Sequence, residues 1–309
     1  MSDAIQVVEV GPRDGLQNEA IQLELDIRQE LVMRLAKAGL QHIEVGAFVS
    51  PRWVPQMQES GELIQRLTNS QAKSELSKTL VLSALVPNPR GMDDAVRTNL
   101  KYIAIFGSCS EGFSKKNINC SIAESFVRFT EVMRIAKSKQ IKVRGYLSTA
   151  FGCPYDGYVD STYVVQLTRA LIDLGVYEVS IGDTIGVASP KQVEILLNKL
   201  LAEVSPNQVA MHFHDTRGTA LANLAKAYEM GIRTFDSSVG GLGGCPYAKG
   251  ASGNLATEDL VYMMHAMGVP TGVQIEELIA TKNWIEPIIG RRLLSHVGQA
   301  GLPLPGTIR

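Results

Sequence analysis

The chain has 309 residues, of which 45% are hydrophobic and 20% are charged, and its formal net charge is −1. That balance is typical of a globular protein and gives no electrostatic reason to expect nucleic acid or an anionic membrane surface as a partner. No apolar run reaches the roughly 18 residues that a membrane-spanning helix needs, so we also expect no insertion into a membrane.

The cysteines and the N-terminus bear on the cellular compartment. None of the four cysteines lies in a C-x-x-C pair, and a chain of this length does not depend on disulfides for stability. The first residues lead into a strand-like run and carry neither a secretion signal nor an Arg-rich presequence. We therefore expect free thiols and a cytoplasmic location.

Strand-like and helix-like segments alternate along the whole chain. Short apolar runs rich in β-branched residues predict strands at 5–10, 42–48, 79–86, 102–106, 142–148, 178–182, 209–214 and 234–239. Runs with helical periodicity predict helices at 23–38, 57–68, 92–98, 122–139, 161–174, 192–204, 220–230 and 258–267. The polar stretch 107–119 is predicted to be a loop, and a further amphipathic helix is predicted at 275–289.

Eight buried strands, each followed by a helix, predict an α/β fold, the (β/α)8 TIM barrel. We expect one catalytic domain over residues 1–309, with 270–309 as a short C-terminal helical extension. An open doubly wound sheet fits less well, because no G-x-G-x-x-G follows the first strand. The apolar face of 275–289 either contacts a second copy in a homo-oligomer such as a dimer or closes the bottom of the barrel. A barrel places its chemistry at the carboxyl ends of the strands.

The candidate site begins on the seventh predicted strand. His212 and His214 are two residues apart, so a strand directs both imidazoles to one face. Two imidazoles side by side can form half of a metal site. Alternatively, the pair satisfies hydrogen bonds in a polar core. This segment alone does not decide between the two interpretations.

Two further residues can complete a metal site. Asp14 follows the first strand, and Asn254 follows the eighth. Carboxylate, imidazole and amide ligands without a thiolate favour a six-coordinate divalent cation that leaves positions open for substrate. The alternatives are that Asp14 forms an Asx-turn before Gly15 and that Asn254 caps the following helix.

Other strands also carry polar side chains at or near their predicted ends: Arg13, Glu44, Tyr146 and Asp183. A guanidinium at Arg13, beside a candidate metal ligand, could stabilise a developing enolate oxygen. The alternative for Arg13 is a structural salt bridge to Glu44 or Asp183.

Two connecting segments on the same rim carry candidate residues. The segment 240–254 is rich in glycine, and a thiol at Cys245 could act as a general acid or base. The alternative is a buried bystander thiol, as we expect for the other three cysteines. Lys115, Lys116 and Asn117 could grip a phosphorylated ligand or could form an ordinary solvated surface.

These residues lie in motifs that resemble the hydroxymethylglutaryl-CoA lyase family, within a group of metal-dependent barrel lyases and Claisen-type synthases. The Arg-Asp motif and the His-x-His pair are shared with the isopropylmalate and homocitrate synthases of that group, whereas the segment around Cys245 points to the lyases. The resemblance covers roughly residues 5 to 305. Its segments are 11–19 (GPRDGLQNE), 48–51 (FVSP), 53–57 (WVPQM), 115–121 (KKNINCS), 152–155 (GCPY) and 240–254 (GGLGGCPYAKGASGN).

The resemblance implies an enzyme that cleaves 3-hydroxy-3-methylglutaryl-CoA to acetyl-CoA and acetoacetate, in leucine breakdown and ketone body formation. It implies an acyl-CoA substrate and a divalent cation, Mg²⁺ or Mn²⁺. The implied metal ligands are Asp14, His212, His214 and Asn254.

The resemblance also implies roles in catalysis. Arg13 would stabilise the enolate of the departing acetyl-CoA, and Cys245 would protonate it. Glu44 and Asp183 would orient the site and relay protons. The base that removes the hydroxyl proton stays open between Asp183, His212 and a water at the metal. The residues implied to contact the acyl-CoA are Gln17, Lys115, Lys116, Asn117 and Tyr146.

Two positions depart from the pattern of this family. Ala20 stands where some relatives have a lysine, and Ala47 replaces a hydroxyl residue. These departures bear on the identity of the substrate more than on the type of reaction. The alternative activities are a lyase for a longer branched 3-hydroxyglutaryl-CoA and a Claisen-type condensing synthase. A metal-binding or CoA-binding barrel without catalysis is a third possibility, which the presence of all the expected side chains disfavours.

Overall fold

The computed structural model describes residues 4–243 and 253–304. Its centre is a closed barrel of eight parallel strands in sequential order, in which β1 pairs with both β2 and β8. The predicted TIM barrel is therefore confirmed. The strands are β1 (Gln6–Glu9), β2 (His42–Ala47), β3 (Val81–Leu85), β4 (Tyr102–Ser108), β5 (Lys142–Ser148), β6 (Glu178–Asp183), β7 (Val209–Phe213) and β8 (Thr234–Ser237).

Helices surround the barrel and connect its strands. No helix within 4–243 and 253–304 is both long enough and apolar enough to cross a membrane. The helices are α1 (Leu25–Lys37), α2 (Ser60–Ala72), α3 (Pro89–Val96), α4 (Glu111–Ile118), α5 (Ile122–Ser138), α6 (Ser161–Asp173), α7 (Pro190–Leu200), α8 (Ala220–Glu229), α9 (Thr257–Ala266), α10 (Ile275–Ile289) and α11 (His296–Ala300).

The burial of the elements follows from the two layers of the fold. All six residues of β2 and all six of β6 are buried, because a barrel strand faces the packed interior on one side and the helices on the other. A typical outer helix is α5, which buries a stripe that includes Phe129, Val132 and Ala136. It begins with a capping box in which Ser121 and Glu124 each bond the backbone N–H of the other.

The prediction of a loop over 107–119 is wrong, because α4 occupies Glu111–Ile118. The Ser110 hydroxyl caps this helix by accepting the Phe113 N–H at 3.2 Å. Phe113 and Ser114 are buried on its inner face, while Asn119 ends the helix with a φ of 49°. The polar composition of the stretch gives no clear helical periodicity, because only one short face is buried. The helix is stabilised by packing that face against the barrel.

The C-terminal extension runs along the side of the barrel. The Ile5 N–H donates to the Pro270 carbonyl at 3.1 Å, beside the start of β1. At the other end, the Leu294 N–H donates to the Gly240 carbonyl at 3.0 Å, just after β8. Between these points α10 packs against α1 and α9. The extension therefore joins the ring of helices and reaches the rim where the strands end, instead of covering only the bottom.

Candidate active site

The metal-ligand candidates Asp14, His212 and His214 converge at the carboxyl ends of β1 and β7. One ligand atom from each lies within 4.8 Å of the others. The two imidazole centroids are 5.2 Å apart, as expected for side chains two residues apart that share one face. The structure therefore brings together three of the four predicted ligands in a group that can hold a cation.

A single π-helical turn at Gly11–Gly15 carries Asp14 to this position. The N–H groups of Arg13, Asp14 and Gly15 all donate to the Val10 carbonyl, at 3.1, 2.7 and 3.2 Å. A Cβ at Gly15 would lie 2.8 Å from the Cβ of Leu242. Glycine at this position therefore lets the turn after β1 pack directly against the segment after β8.

The donor set fits a divalent cation. Asn254 lies beside the cluster, because its Nδ2 donates to Asp14 Oδ2 at 2.9 Å and to the Leu242 carbonyl at 3.1 Å. Two buried polar atoms, His214 Nδ1 and Asn254 Oδ1, have no hydrogen-bond partner among the described residues. Buried polar groups rarely stay unpaired, so a ligand such as a cation would satisfy this site.

The protonation states of His214 and Asp14 also suit metal binding. At His212 burial opposes protonation, but the hydrogen bond and charge of Asp236 outweigh it and raise the pKa of the imidazole, so a cation has to displace a proton there. Burial lowers the pKa of His214 to about 3, so its imidazole is neutral. Burial opposes ionisation of Asp14, but the charges of Arg13 and His212 outweigh it and lower the pKa of the Asp14 carboxyl. A neutral imidazole and an ionised carboxylate are the forms that ligate a metal.

Arg13 is buried between two carboxylates. Its Nη1 donates to Asp14 Oδ1 at 2.6 Å, and its Nε pairs with Glu44 Oε1. Its guanidinium carbon lies 5.6 Å from the centroid of the Tyr146 ring. The salt bridge to Glu44 that the sequence left as an alternative is therefore present. It does not exclude a role in the reaction, because the same pairing fixes the guanidinium beside the metal-ligand cluster.

Tyr146 lies beneath Arg13, inside the barrel. Its hydroxyl donates to Glu44 Oε2 at 2.9 Å and accepts from Arg144 Nη1 at 3.0 Å. Burial and the nearby Glu44 charge raise the pKa of the Tyr146 hydroxyl, so it remains a neutral donor. Glu44 therefore has partners on both oxygens and links Arg13 to the barrel interior.

Asp183 ends β6 and holds the following turn. Its Oδ1 accepts the Val187 N–H at 2.9 Å, and its Oδ2 accepts the Ala188 N–H at 3.0 Å. Burial raises the pKa of the Asp183 carboxyl, against the opposing effects of these N–H groups and of the Arg217 and His212 charges. The carboxyl is thus buried, near His212, and more basic than an ordinary aspartate.

Sequence reasoning missed two charged residues beneath the metal-ligand cluster, Arg144 on β5 and Asp236 on β8. Asp236 Oδ2 lies 3.2 Å from His212 Nδ1, and Asp236 Oδ1 accepts from Arg144 Nη2 at 2.8 Å. The available signal was the spacing of Arg144 and Tyr146, which shows that both point to the same face of their strand. The pairing with Asp236 required the strand order of the closed barrel.

The residues proposed to contact CoA are more dispersed. Lys115, Lys116 and Asn117 are exposed on α4, which is not a loop as predicted. Gln17 lies just after the turn that carries Asp14, and its buried Oε1 has no partner among the described residues. The side chain of Tyr146 is buried at the base of the site.

Cys245 lies outside the described residues, and so do its neighbours at 244–252. The described residues on either side of this segment form hydrogen bonds with residues that follow β7 and β1, close in sequence to the metal-ligand group. The Asp215 N–H donates to the Gly253 carbonyl at 2.8 Å, and the Gly243 N–H donates to Glu19 Oε1 at 3.3 Å. Both flanking ends are therefore anchored at the rim that carries His214 and Asp14.

Three curated relatives match nearly the whole chain. The hydroxymethylglutaryl-CoA lyase of Pseudomonas mevalonii is 48% identical, with 96% of each chain covered. The mitochondrial hydroxymethylglutaryl-CoA lyase of Homo sapiens is 46% identical over 96% of this chain and 89% of its own. The cytoplasmic 3-hydroxy-3-methylglutaryl-CoA lyase of Mus musculus is 46% identical over 97% of this chain and 85% of its own.

Solved structures of hydroxymethylglutaryl-CoA lyases also match nearly the whole chain. Hydroxymethylglutaryl-CoA lyase from Pseudomonas aeruginosa superimposes with a TM-score of 0.92 at 44% identity, over 97% of this chain and 98% of the other. An HMG-CoA lyase from Acinetobacter baumannii, solved with coenzyme A and 3-methylmalate, gives 0.92 at 35% identity, over 99% and 97%. A family model described as HMGL-like matches residues 4–285. With this match, and with relatives 46–48% identical over almost the whole chain, the protein belongs to the HMGL-like family, among the hydroxymethylglutaryl-CoA lyases.

Proposed function

We propose that this chain is a metal-dependent carbon–carbon lyase that cleaves 3-hydroxy-3-methylglutaryl-CoA to acetyl-CoA and acetoacetate. The observation that carries the proposal is the buried Arg13 guanidinium beside the group formed by Asp14, His212 and His214. In a chain of this family, that arrangement puts the fixed positive charge of Arg13 next to a place where a chelating substrate can bind.

Asp14, His212, His214 and Asn254 would hold Mg²⁺ or Mn²⁺. When bound, the cation supplies Lewis acidity, which lowers the pKa of the substrate's tertiary hydroxyl and fixes it beside a neighbouring oxygen. A donor set of oxygens and imidazoles favours these cations over metals that prefer thiolates.

Arg13 is the residue proposed to stabilise the enolate of the departing acetyl-CoA. Its ion pairs with Asp14 and Glu44 hold the guanidinium in place before substrate arrives, so little reorganisation is needed as negative charge develops. The Tyr146 ring below it limits its movement further. In this scheme Glu44 orients Arg13.

Two proton transfers complete the reaction. A base takes the proton of the tertiary hydroxyl, and the C2–C3 bond breaks to leave acetoacetate and the enolate of acetyl-CoA. Asp183 and His212 are the candidate bases. The raised pKa of the Asp183 carboxyl favours Asp183 as the proton acceptor, because His212 has no free lone pair while it ligates the cation. Cys245 is proposed as the general acid that then protonates the enolate carbon.

The remaining assignments concern partners and location. We propose that Lys115, Lys116, Asn117 and Gln17 bind the CoA portion and that the buried Tyr146 contacts the acyl end. We also propose that residues 1–309 act as one catalytic unit, that the chain forms a homo-oligomer such as a dimer, and that it works in the cytoplasm. The free thiols of Cys109, Cys120 and Cys153 are consistent with a reducing compartment.

A steady-state assay over a panel of 3-hydroxyglutaryl-CoA analogues tests the proposed activity. Acetoacetate should form from the 3-methyl substrate with Mg²⁺ or Mn²⁺, and activity should disappear with a chelator. Faster turnover of a longer branched analogue would show that this analogue, and not the 3-methyl compound, is the preferred substrate. Net consumption of acetyl-CoA with a 2-oxo acid would instead identify a condensing synthase.

Replacing Cys245 by Ala tests its proposed role. We expect turnover to fall by about 10³-fold or more, since a positioned acid is lost, while Mn²⁺ binding stays unchanged. Cys109→Ala is the matched control, because this thiol is buried in the core and should have little effect on turnover. Near-normal turnover of the Cys245 variant would refute the role.

A further inference from the structure

We propose that Asp236 is a positioning residue for the metal site, one that holds His212 so that its Nε2 atom is the metal ligand. The inference rests on the proposed metal site and extends it to a residue that does not itself touch the cation. His212 and Asp236 are register partners on the adjacent strands β7 and β8. Their side chains therefore leave the barrel wall side by side, with Nδ1 and Oδ2 3.2 Å apart.

The other contacts of Asp236 decide which imidazole nitrogen carries the proton. Asp236 Oδ1 accepts from Arg144 Nη2 at 2.8 Å, and Oδ2 accepts from the Ser180 hydroxyl at 2.7 Å. The carboxyl side chain is fully buried and paired with a guanidinium, so it is an ionised group that can only accept. The Nδ1 atom of His212 must then be the donor, so in the neutral imidazole that a metal requires the lone pair is on Nε2.

Arg144 is the common anchor of this arrangement. Its Nε donates to Glu178 Oε1 at 2.7 Å, and its Nη1 donates to the Tyr146 hydroxyl. One branch therefore runs from Arg144 through Asp236 to His212. A second branch runs through Tyr146 and Glu44 to Arg13. Both the metal ligand and the proposed enolate-stabilising group are thus fixed from one buried guanidinium.

The cluster also provides a matched control. Glu178 and Asp236 are both buried carboxylates on Arg144, but of the two only Asp236 contacts His212. Asp236→Asn keeps the shape and removes the charge that orients the imidazole. Glu178→Gln removes the same charge from the other side of Arg144. A general disturbance of the buried cluster should affect both variants, whereas a positioning role affects only Asp236→Asn.

The first measurement is Mn²⁺ binding to the purified protein, by electron paramagnetic resonance of free Mn²⁺. We expect Asp236→Asn to bind Mn²⁺ about 10–100-fold more weakly than the wild type. We expect Glu178→Gln to bind Mn²⁺ with an affinity within about threefold of the wild type, because Asp236, the partner of His212, is intact. Equal affinities for the wild type and Asp236→Asn, or equal losses in both variants, would overturn the positioning role. A wild type that binds no Mn²⁺ would refute the proposed function itself.

A second measurement needs no substitution, so it decides the matter even if Asp236→Asn does not fold. In ¹⁵N-labelled wild type saturated with Mg²⁺, imidazole ¹⁵N shifts report which nitrogen of His212 is protonated. We expect the proton on Nδ1. A proton on Nε2 would contradict the inference. Activity gives a further check, since excess Mn²⁺ should restore much of the turnover of Asp236→Asn.

Discussion

Two groups of buried carboxylates in this barrel are held in opposite ways. In the ion-paired group, Asp236 and Glu178 share the guanidinium of Arg144. In the donor-held group, Glu9 and Glu258 accept only N–H and O–H groups. Glu9 accepts from the N–H groups of Gly11 and Val239 and from the Thr257 hydroxyl, and Glu258 accepts from the Gly240 N–H.

Because their partners differ, the pKa of Asp236 and the pKa values of Glu9 and Glu258 shift in opposite directions. Burial alone would raise the pKa of Asp236, but the charges of Arg144 and His212 lower it below its ordinary value. Burial raises the pKa of Glu9 to about 7 and that of Glu258 to about 8, because neutral donors only partly replace water. Asp236, which lies beside a guanidinium, therefore stays charged, whereas Glu9 and Glu258, which have no such partner, titrate near neutrality.

The two groups also differ in what they hold. The ion-paired group lies inside the barrel and orients side chains, His212 above all. The donor-held group fixes backbone, since Glu9 joins the turn after β1 to the segment after β8 through Gly11 and Val239. Charge is kept where a side chain must be oriented, and neutral donors suffice where two segments of backbone must be joined.

Removing the Arg144 guanidinium from the ion-paired group should have the largest effect on stability. Arg144→Met leaves Asp236 and Glu178 buried without a countercharge, which should cost about 3–5 kcal/mol of unfolding free energy. Urea unfolding of both proteins measures the change. Adding Glu178→Gln to this variant should recover part of the loss, because one unpaired charge is removed. A loss below about 1 kcal/mol would show that the guanidinium is not what holds these carboxylates.

The donor-held group should make stability depend on pH. The pKa of Glu258 is about 8 in the folded protein and near 4.5 when unfolded, so the folded state binds the proton more tightly. Its stabilisation is complete below about pH 4.5 and is lost as the pH rises through about 8. Wild-type stability should therefore fall from pH 5 to pH 9 by roughly 4 kcal/mol more than that of Glu258→Gln.

Urea unfolding at several pH values measures this difference. The exposed Glu276, replaced by Gln, is the matched control and should leave the pH dependence of the wild type unchanged. If Glu258→Gln loses as much stability over this range as the wild type, the buried carboxyl is not the group that titrates.

An exposed ion pair should show the smallest effect and isolate the role of burial. Arg66 pairs with Glu62 and Asp26, both at 2.7 Å, on the outer surface of the helix ring. Arg66→Ala should lower the unfolding free energy far less than Arg144→Met does, because water already solvates both charges, and added salt should reduce the loss further. A loss as large as that of Arg144→Met would mean that distance alone, without burial, sets the strength of these pairs.

The sequence predicted most of the barrel because its signals were local. Apolar β-branched runs marked the strands, and periodic stripes marked helices such as α5. The clearest miss was α4, where Phe113 and Ser114 provide too short a buried face to stand out in a polar stretch. For the C-terminal extension, the sequence predicted the helix at 275–289 but not that it packs along the side of the barrel against α1 and α9.

By itself, the sequence determined the fold class, the family motifs and the two imidazoles on one face, because each depends on spacing within a single segment. The tertiary structure alone decided that Asp14, His212 and His214 meet within 4.8 Å and that Asp236 lies next to His212. Those contacts join residues from different strands, so they depend on strand order, register and the closure of β1 against β8. Periodicity shows which way a side chain points, but only the closed sheet determines what it meets there.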